Sequence, residues 1–431
     1  EACPATLSVY PGFEGFNGKI KEMVGSDASI GLQVRQFNME ILLLNYFYSH
    51  KCLVPYEDNV AMFGEKHAFV IPIPWCSVRT VSETDKKWLK VARMMMHENV
   101  TTRETYSLFL HKHVILATCT RYDQSLWGNS LRRDVQHMIS LRYEGLYGEI
   151  RKQEVFHPRS MVVPYSTETP EEIIKLHSSL SLTKYSALNS DSKVDVFLHC
   201  SVKKNTGKYN IRKHIMDIFT KQDILTTDMG GVEKKIEKHS EGEQKRAFLS
   251  TIASMKRSSF CLVPPGYTAS TRRLYEAIRY GCIPVILSTN LTLPFQSNEK
   301  ILSLWNRSVI LHDPDDIESL PATLGNVSGE EMTRRIEAID PLGQAVLLSG
   351  SSRDPSNFVW EEIVKMLGFG PSSIMSLSHL LGPKNSELDE DIINSGQVVV
   401  SYFSLSEAGV GVKRATSLQS LILWSNSLRR H

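Results

Sequence analysis

No run of eighteen apolar residues occurs in the 431-residue chain, so no transmembrane helix is expected within it. The longest apolar stretches, such as Ile41 to Tyr48, are too short and carry Asn45. No charge of one sign dominates. Lys and Arg number 49 against 47 Asp and Glu, a net +2 that gives no ground for a nucleic-acid partner or a polybasic membrane patch. Cysteine is sparse. Cys3, Cys52, Cys76, Cys119, Cys200, Cys261 and Cys282 include no CxxC pair, so a local zinc site and a disulfide-framed miniature fold lack support. Their odd count leaves at least one unpaired in a secreted monomer. Cys261 and Cys282 lie in apolar runs and read as small buried hydrophobes. There is no internal repeat. No Gly-x-Gly-x-x-Gly follows a predicted strand, which argues against a dinucleotide-dependent oxidoreductase.

What is present is ordinary in composition and ordered in pattern. Hydrophobic residues make up 42% and charged residues 22%, a soluble globular mix that excludes collagen, coiled coil and wholesale disorder. The length suggests about two or three domains. The chain opens on Glu1 without a signal-like segment, so an N-terminal anchor is expected to be missing from it. Asn-x-Ser/Thr sequons at Asn99, Asn290, Asn306 and Asn326 tilt the expectation toward a secretory compartment.

In residues 1–165, Ala68 to Ile73 and His113 to Thr118 read as buried strands. Asn38 to Tyr48 and Lys86 to His97 read as helices, and Met94, Met95 and Met96 in the second as core packing. A turn-rich stretch from Val163 to Pro170 reads as a linker. Strand and helix then alternate: strand Val194–His199, helix Tyr209–Thr220, helix Gly242–Met255, strand Phe260–Val263, helix Thr271–Tyr280, strand Cys282–Leu287. Such alternation predicts a parallel sheet in an α/β domain. Glu233 to Arg246 mixes both signs and reads as a solvated face, and Asp313 to Asp316 as a turn. Residues 369–431 read as a poorly ordered tail.

The chemistry concentrates in Ser258 to Phe295. There a buried strand ends at Pro264-Pro265-Gly266, where Gly266 permits a tight turn. Ser270 is placed to cap the next helix, and Gly281 to end it. A helix start with the hydroxyls of Ser270 and Thr271 and two guanidiniums is a good phosphate cradle. Arg273 and Glu276, three apart, share a helix face. Two readings of that pair stay open: an ordinary ion pair, or a nucleotide grip with cation on phosphate and carboxylate on ribose hydroxyls.

The block resembles the signature of the exostosin family, glycosyltransferase family 47. The family pattern runs roughly F-C-L-x-P-x-G-D-x-x-S-x-R-R-L-x-[DE]-A-x-x-x-G-C-I-P-V. It is met here by Phe260 to Pro264, Gly266, Ser270, Arg272-Arg273-Leu274, Glu276-Ala277 and Gly281 to Val285. Pro294-Phe295 and Trp305 follow in family order. The acidic residue usual after the glycine is replaced by Tyr267, a departure that bears on the donor-sugar contacts the resemblance implies more than on nucleotide binding. Upstream, Ser201 to Lys204 followed by Ile211-Arg212 is similar to the family's basic loop and Arg-led helix. Tyr10-Pro11, Phe16-Asn17, Ala68 to Ile73, His113 to Leu116, Met161 to Pro164 and Asn357 to Leu367 resemble further family segments. The likeness spans about residues 8–368 and is strong over 258–295.

The resemblance implies an α/β GT-B fold, two Rossmann-like lobes facing each other across a cleft. It assigns 1–165 to an acceptor-side lobe, 166–345 to a nucleotide-sugar lobe and 346–368 to a closing helix. It implies inverting transfer from a UDP-sugar to a glycan or glycoprotein acceptor, in the Golgi lumen, by a type II membrane protein. Arg212, Ser270, Thr271, Arg273 and Glu276 would bind the donor. His113 and Asp123 are the candidate bases, although a buried structural histidine and a turn aspartate read equally well. No metal is expected, since Asp389-Glu390-Asp391 lies in the unmatched tail. A homo- or heterodimer with a related glycosyltransferase is a possible partnership. The alternative is a non-catalytic subunit that binds glycan or partners an active relative.

Overall fold

The computed structural model describes residues 3–26, 39–57, 63, 66–118, 134–135, 137–143, 146–150, 153–156, 159–167, 194–200, 207–221, 225, 227–231, 241–266, 269–288, 291–347, 356–368, 401–406 and 409–414. Two five-stranded parallel sheets carry the architecture.

The first sheet comprises β1 (Thr6–Val9), β2 (His67–Ile71), β3 (His113–Leu116), β4 (Ile139–Arg142) and β7 (Ser160–Val162), in the order β1-β2-β3-β4-β7. A hairpin of β5 (Leu146–Ile150) and β6 (Gln153–Phe156) lies between the last two in sequence. β2, β3 and β4 are buried along their whole length, which is why they read as continuous apolar runs instead of alternating ones. Alternate residues still part to two faces. Phe69, Ile71 and Ile115 pack with residues of α1 (Glu14–Ser26), α3 (Trp75–Thr84) and α4 (Lys87–Met96). Ala68, Val70, Val114 and Leu116 pack with α2 (Met39–Ser49) and a core that continues into the second sheet.

The second sheet comprises β8 (Val194–Cys200), β9 (Thr227–Gly231), β10 (Ser258–Val263), β11 (Ile283–Ile286) and β12 (Ile310–Leu311), in the order β9-β8-β10-β11-β12. Its helices are α5 (Gly207–Lys221), α6 (Glu241–Arg257), α7 (Arg272–Tyr280), α8 (Glu299–Ser308) and α9 (Gly329–Val346). α10 (Ser356–Leu367) returns to pack near β2. In the tail, β13 (Ser401–Ser406) and β14 (Gly409–Arg414) form an antiparallel hairpin.

The expected α/β class with two parallel lobes is therefore observed, with element ends shifted by at most two residues. Two local expectations are corrected. Of the methionine triplet, only Met96 is fully buried; Met94 is 49% exposed. Successive helix positions turn by about 100°, so three in a row cannot share a core face. Asp313 to Asp316 is not a bare turn: Asp313 caps a 3-10 helix over Pro314–Ser319 by accepting from the Asp315 N–H.

Candidate functional site

In the second sheet the chain leaves β8 for β9 on one side and returns to β10 on the other. That reversal makes a topological switch point, and ligands of open α/β sheets bind in the crevice beyond the strand C-termini there. The sequence-predicted donor residues converge on it. β10 ends at Pro264-Pro265, and Arg212 of α5 donates from Nε and Nη2 to the Pro265 carbonyl at 3.2 and 2.9 Å. Arg273 of α7 donates from Nη2 to the His199 carbonyl at the end of β8, at 3.2 Å. Its guanidinium packs 5.4 Å over the Phe197 ring. Two guanidiniums thus hold the ends of the two strands that flank the switch point.

Glu276 is buried one turn further along α7 and is gripped from both sides. Arg272 Nε lies 3.0 Å from Oε1 and Arg273 Nη1 3.1 Å from Oε2. The ion-pair reading of Arg273 and Glu276 is thus realised, with Arg272 added to it. Three arginines against one carboxylate leave a surplus of two positive charges at the helix start, where the dipole of α7 also favours an anion.

Ser270 does not cap α7, a correction to the sequence reading. Thr271 does, with extended backbone (φ −151, ψ 143) and its Oγ1 accepting from the Arg273 N–H at 3.4 Å. Ser270 is buried and donates instead to Tyr165 Oη at 3.2 Å, a bond between the second lobe and the segment that follows the last strand of the first. Gly281 ends α7 at φ 76, a left-handed conformation that glycine adopts without strain.

Cys261 and Cys282 are buried in an apolar cluster, as expected, but not as separate side chains. They are bonded to each other, with Cα atoms 5.7 Å apart. β10 and β11 are neighbours in register, so both side chains reach the same face, among Phe197, Met255 and Ala277. Cys3–Cys52 is a second disulfide, and Cys76 is also disulfide-bonded. Cys200 is a free thiol, buried at the end of β8.

His113 stands away from this crevice, wholly buried in the first lobe. Its Nε2 is 2.7 Å from Tyr10 Oη and its Nδ1 2.9 Å from the Phe109 carbonyl oxygen. Burial holds its pKa down to about 4. With both nitrogens engaged and the ring stacked on Phe69, it serves the core and presents nothing to an acceptor hydroxyl. Asp123, Tyr267, Lys203, Lys204 and Asp389 to Asp391 lie outside the described residues. Among the described residues, no three His, Cys, Asp or Glu side chains are grouped to hold a metal.

The sequence reading missed Glu40. Wholly buried, its carboxylate accepts from Cys76 N (2.9 Å), Ser77 N (3.1 Å), Ser77 Oγ (3.3 Å) and Thr118 N (3.1 Å). It therefore ties the start of α3 to the segment leaving β3, at the C-terminal edge of the first sheet. Burial raises its pKa to about 7 against those stabilising donors. The available signal was a lone acid inside the apolar helix start Met39-Glu40-Ile41-Leu42.

The Exostosin GT47 domain profile matches residues 36–327, more than half of the chain. A probable glucuronosyltransferase of Oryza sativa is 33% identical over 106 residues, 24% of this chain and 24% of its own length. Exostosin-1 of Drosophila melanogaster is 41% identical over 71 residues, 16% of this chain and 9% of its own. A probable beta-1,4-xylosyltransferase of Arabidopsis thaliana is 34% identical over 95 residues, 22% of each. These matched stretches thus take in about a quarter or less of each relative. Among solved structures, the pneumococcal O-GlcNAc transferase GtfA in complex with UDP and GlcNAc aligns with a TM-score of 0.31 and 10% identity, over 73% of this chain and 59% of that one. The domain profile runs from the helix that carries Glu40, through the arginine cluster at the β8–β10 switch point, to the turn before α9, and on that span the chain belongs to the exostosin GT47 family.

Proposed function

We propose that this chain is an inverting glycosyltransferase that moves a sugar from a UDP-sugar to a glycan or glycoprotein acceptor. The observation that carries the reading is the meeting of Arg212, Arg273 and Glu276 at the switch point beside Ser270 and Thr271. In this reading the donor diphosphate lies against the start of α7. As the bond from the anomeric carbon to the diphosphate oxygen breaks, negative charge grows on the leaving group. Fixed cations and a helix N-terminus lower the energy of that charge without reorganising. Arg212, Arg272 and Arg273 supply the cations, so a divalent metal is assigned no part. Glu276, held by Arg272 and Arg273, turns an oxygen to the ribose hydroxyls.

The acceptor hydroxyl attacks from the opposite face and gives its proton to a base. His113 is engaged in the core, and Asp123, which follows β3 in sequence, is the other candidate base. The disulfides fit an oxidising lumen, and a Golgi location with a type II anchor outside this chain is part of the reading. The loss of His113 as a base favours one other reading, a non-catalytic exostosin-like subunit that binds glycan or partners an active glycosyltransferase.

Calorimetry and thermal shift with UDP and a panel of UDP-sugars, with and without Mn²⁺ and with EDTA, test the proposal on wild type and Glu276→Ala. A ligand that binds only the folded state must raise its stability. Stabilisation of wild type by UDP, insensitive to EDTA and weakened at least about tenfold in affinity by the substitution, is expected. Failure of every nucleotide to bind folded wild type would sink the catalytic reading. UDP binding without donor hydrolysis or transfer would favour the subunit.

A further inference from the structure

The four sequons, two ending in Thr and two in Ser, differ in what the fold does with them. Asn290 lies outside the described residues. Asn99 sits in the π-helical turn His97–Thr101, half-buried over Gly12, where a Cβ would stand 3.5 Å from its Oδ1. Its Thr101 is tied back to the His97 ring and carbonyl. Asn306 is exposed on α8, but Ser308 is wholly buried behind it. Asn326 is different. It follows the short helix Leu320–Gly325 and leads through Val327 to Ser328, the residue before α9. Both Asn326 and Ser328 are exposed, the only described sequon of which this is true. Val327 between them packs on the core and fixes the turn, so the asparagine amide faces solvent.

We propose that Asn326 carries an N-linked glycan; the inference rests on the secretory-lumen part of the reading above, not on the catalytic part. The donor is a lipid-diphosphate-linked oligosaccharide. Nδ2 of Asn326 bonds to the anomeric carbon of the oligosaccharide, the bond from that carbon to the diphosphate oxygen breaks, and the amide gives up one proton. The lipid diphosphate leaves with the electron pair. In the folded chain Ser328 Oγ accepts from the Glu331 N–H at 3.1 Å as the cap of α9. The hydroxyl that makes the sequon is therefore engaged once α9 has formed, which places the transfer before that helix closes. The folded turn then leaves room for the product, because Asn326 and Ser328 are both exposed.

The test is expression of the chain behind a secretory signal in animal cells, for wild type and Asn326→Gln. Purified protein is treated with peptide-N-glycosidase in heavy-oxygen water, digested and read by mass spectrometry, and its free thiols are trapped in parallel. The expected result is heavy-oxygen aspartate at position 326, loss of one glycan from the gel mobility of Asn326→Gln, and oxidised Cys3, Cys52, Cys261 and Cys282. Oxidised cysteines with an unlabelled Asn326 would overturn the proposal and leave the lumenal reading standing. Reduced cysteines with no label at any sequon would overturn the lumenal reading and the proposal with it. Asn326→Gln keeps the Ser328 cap, so a folding defect does not confound the readout.

Discussion

At the scale of single residues, Glu40 is the group whose environment is most demanding. Both of its oxygens face donors: Cys76 N, Ser77 N, Ser77 Oγ and Thr118 N. Glu40→Gln puts an amide N–H₂ against backbone N–H groups and leaves at least one donor unsatisfied, a loss of about 2 kcal/mol. Urea unfolding checks it, and an unchanged midpoint would refute the clamp. The pH dependence has a definite sign. The folded-state pKa is raised from 4.5 to about 7 by burial, so between those values the folded chain holds its proton more tightly than the unfolded chain does. The contribution of this group is whole below about pH 4.5 and falls as pH rises through about 7, by up to about 3 kcal/mol. Glu40→Gln does not titrate, so its stability lacks that slope. Arg273 and Glu276 were legible in the sequence because a short block holds both. Glu40 was not, because its partners at 76, 77 and 118 are brought to it only by the sheet.

At the scale of elements, the strand–loop–helix–strand unit from Ser258 to Ile286 was legible almost entire. Its order follows from an apolar run, a Pro-Pro-Gly stop, an amphipathic helix and a glycine terminus. What failed was the choice between neighbours of like chemistry. Ser270 and Thr271 are equally good caps by type, and a contact from the other lobe, Tyr165, takes Ser270 out of contention. Likewise Cys261 and Cys282 look apolar in sequence, and only the β10–β11 register shows that they meet. That bond closes a loop of 21 residues around α7. Cys261→Ala/Cys282→Ala is expected to lower stability by about 3 kcal/mol, since the open chain gains entropy when unfolded. Denaturant titration under non-reducing conditions measures it. Rapid alkylation of both thiols in native wild type, or no change in stability, would show that the staple is absent.

At the scale of the whole molecule, the two sheets are not independent units. One continuous core takes in Leu7, Val70 and Leu116 of the first and Val196, Leu262 and Val285 of the second. Tyr143 stacks on Tyr165 at 3.8 Å, and Tyr165 lies 5.8 Å from Tyr275 of α7. Arg279 donates to Thr167 Oγ1 at 3.0 Å across the same boundary. None of this was legible, because it joins positions from about twenty to more than a hundred apart that carry no shared motif. The closing helix α10 is held by one more such link. Arg159, buried and with its pKa lowered to about 10, is still charged at neutral pH. Its Nη2 donates to the His111 carbonyl at 2.6 Å and to the Met366 carbonyl at 3.0 Å. Met366 lies in the last turn of α10, where unpaired carbonyls gather and a cation is favoured. Arg159 thus fastens the helix that follows the second lobe to the strand that ends the first. Arg159→Ala removes the donor and leaves both carbonyls without it, a loss of about 3 kcal/mol. Arg159→Lys keeps the charge without the planar fork, so it recovers only part of the loss. Hydrogen exchange locates the effect. If Arg159 is the fastening, amides of Phe358 to Leu367 lose protection in Arg159→Ala while those of Leu274 to Tyr280 keep theirs. Equal loss in both segments would mean that the shared core, not this side chain, holds α10 in place.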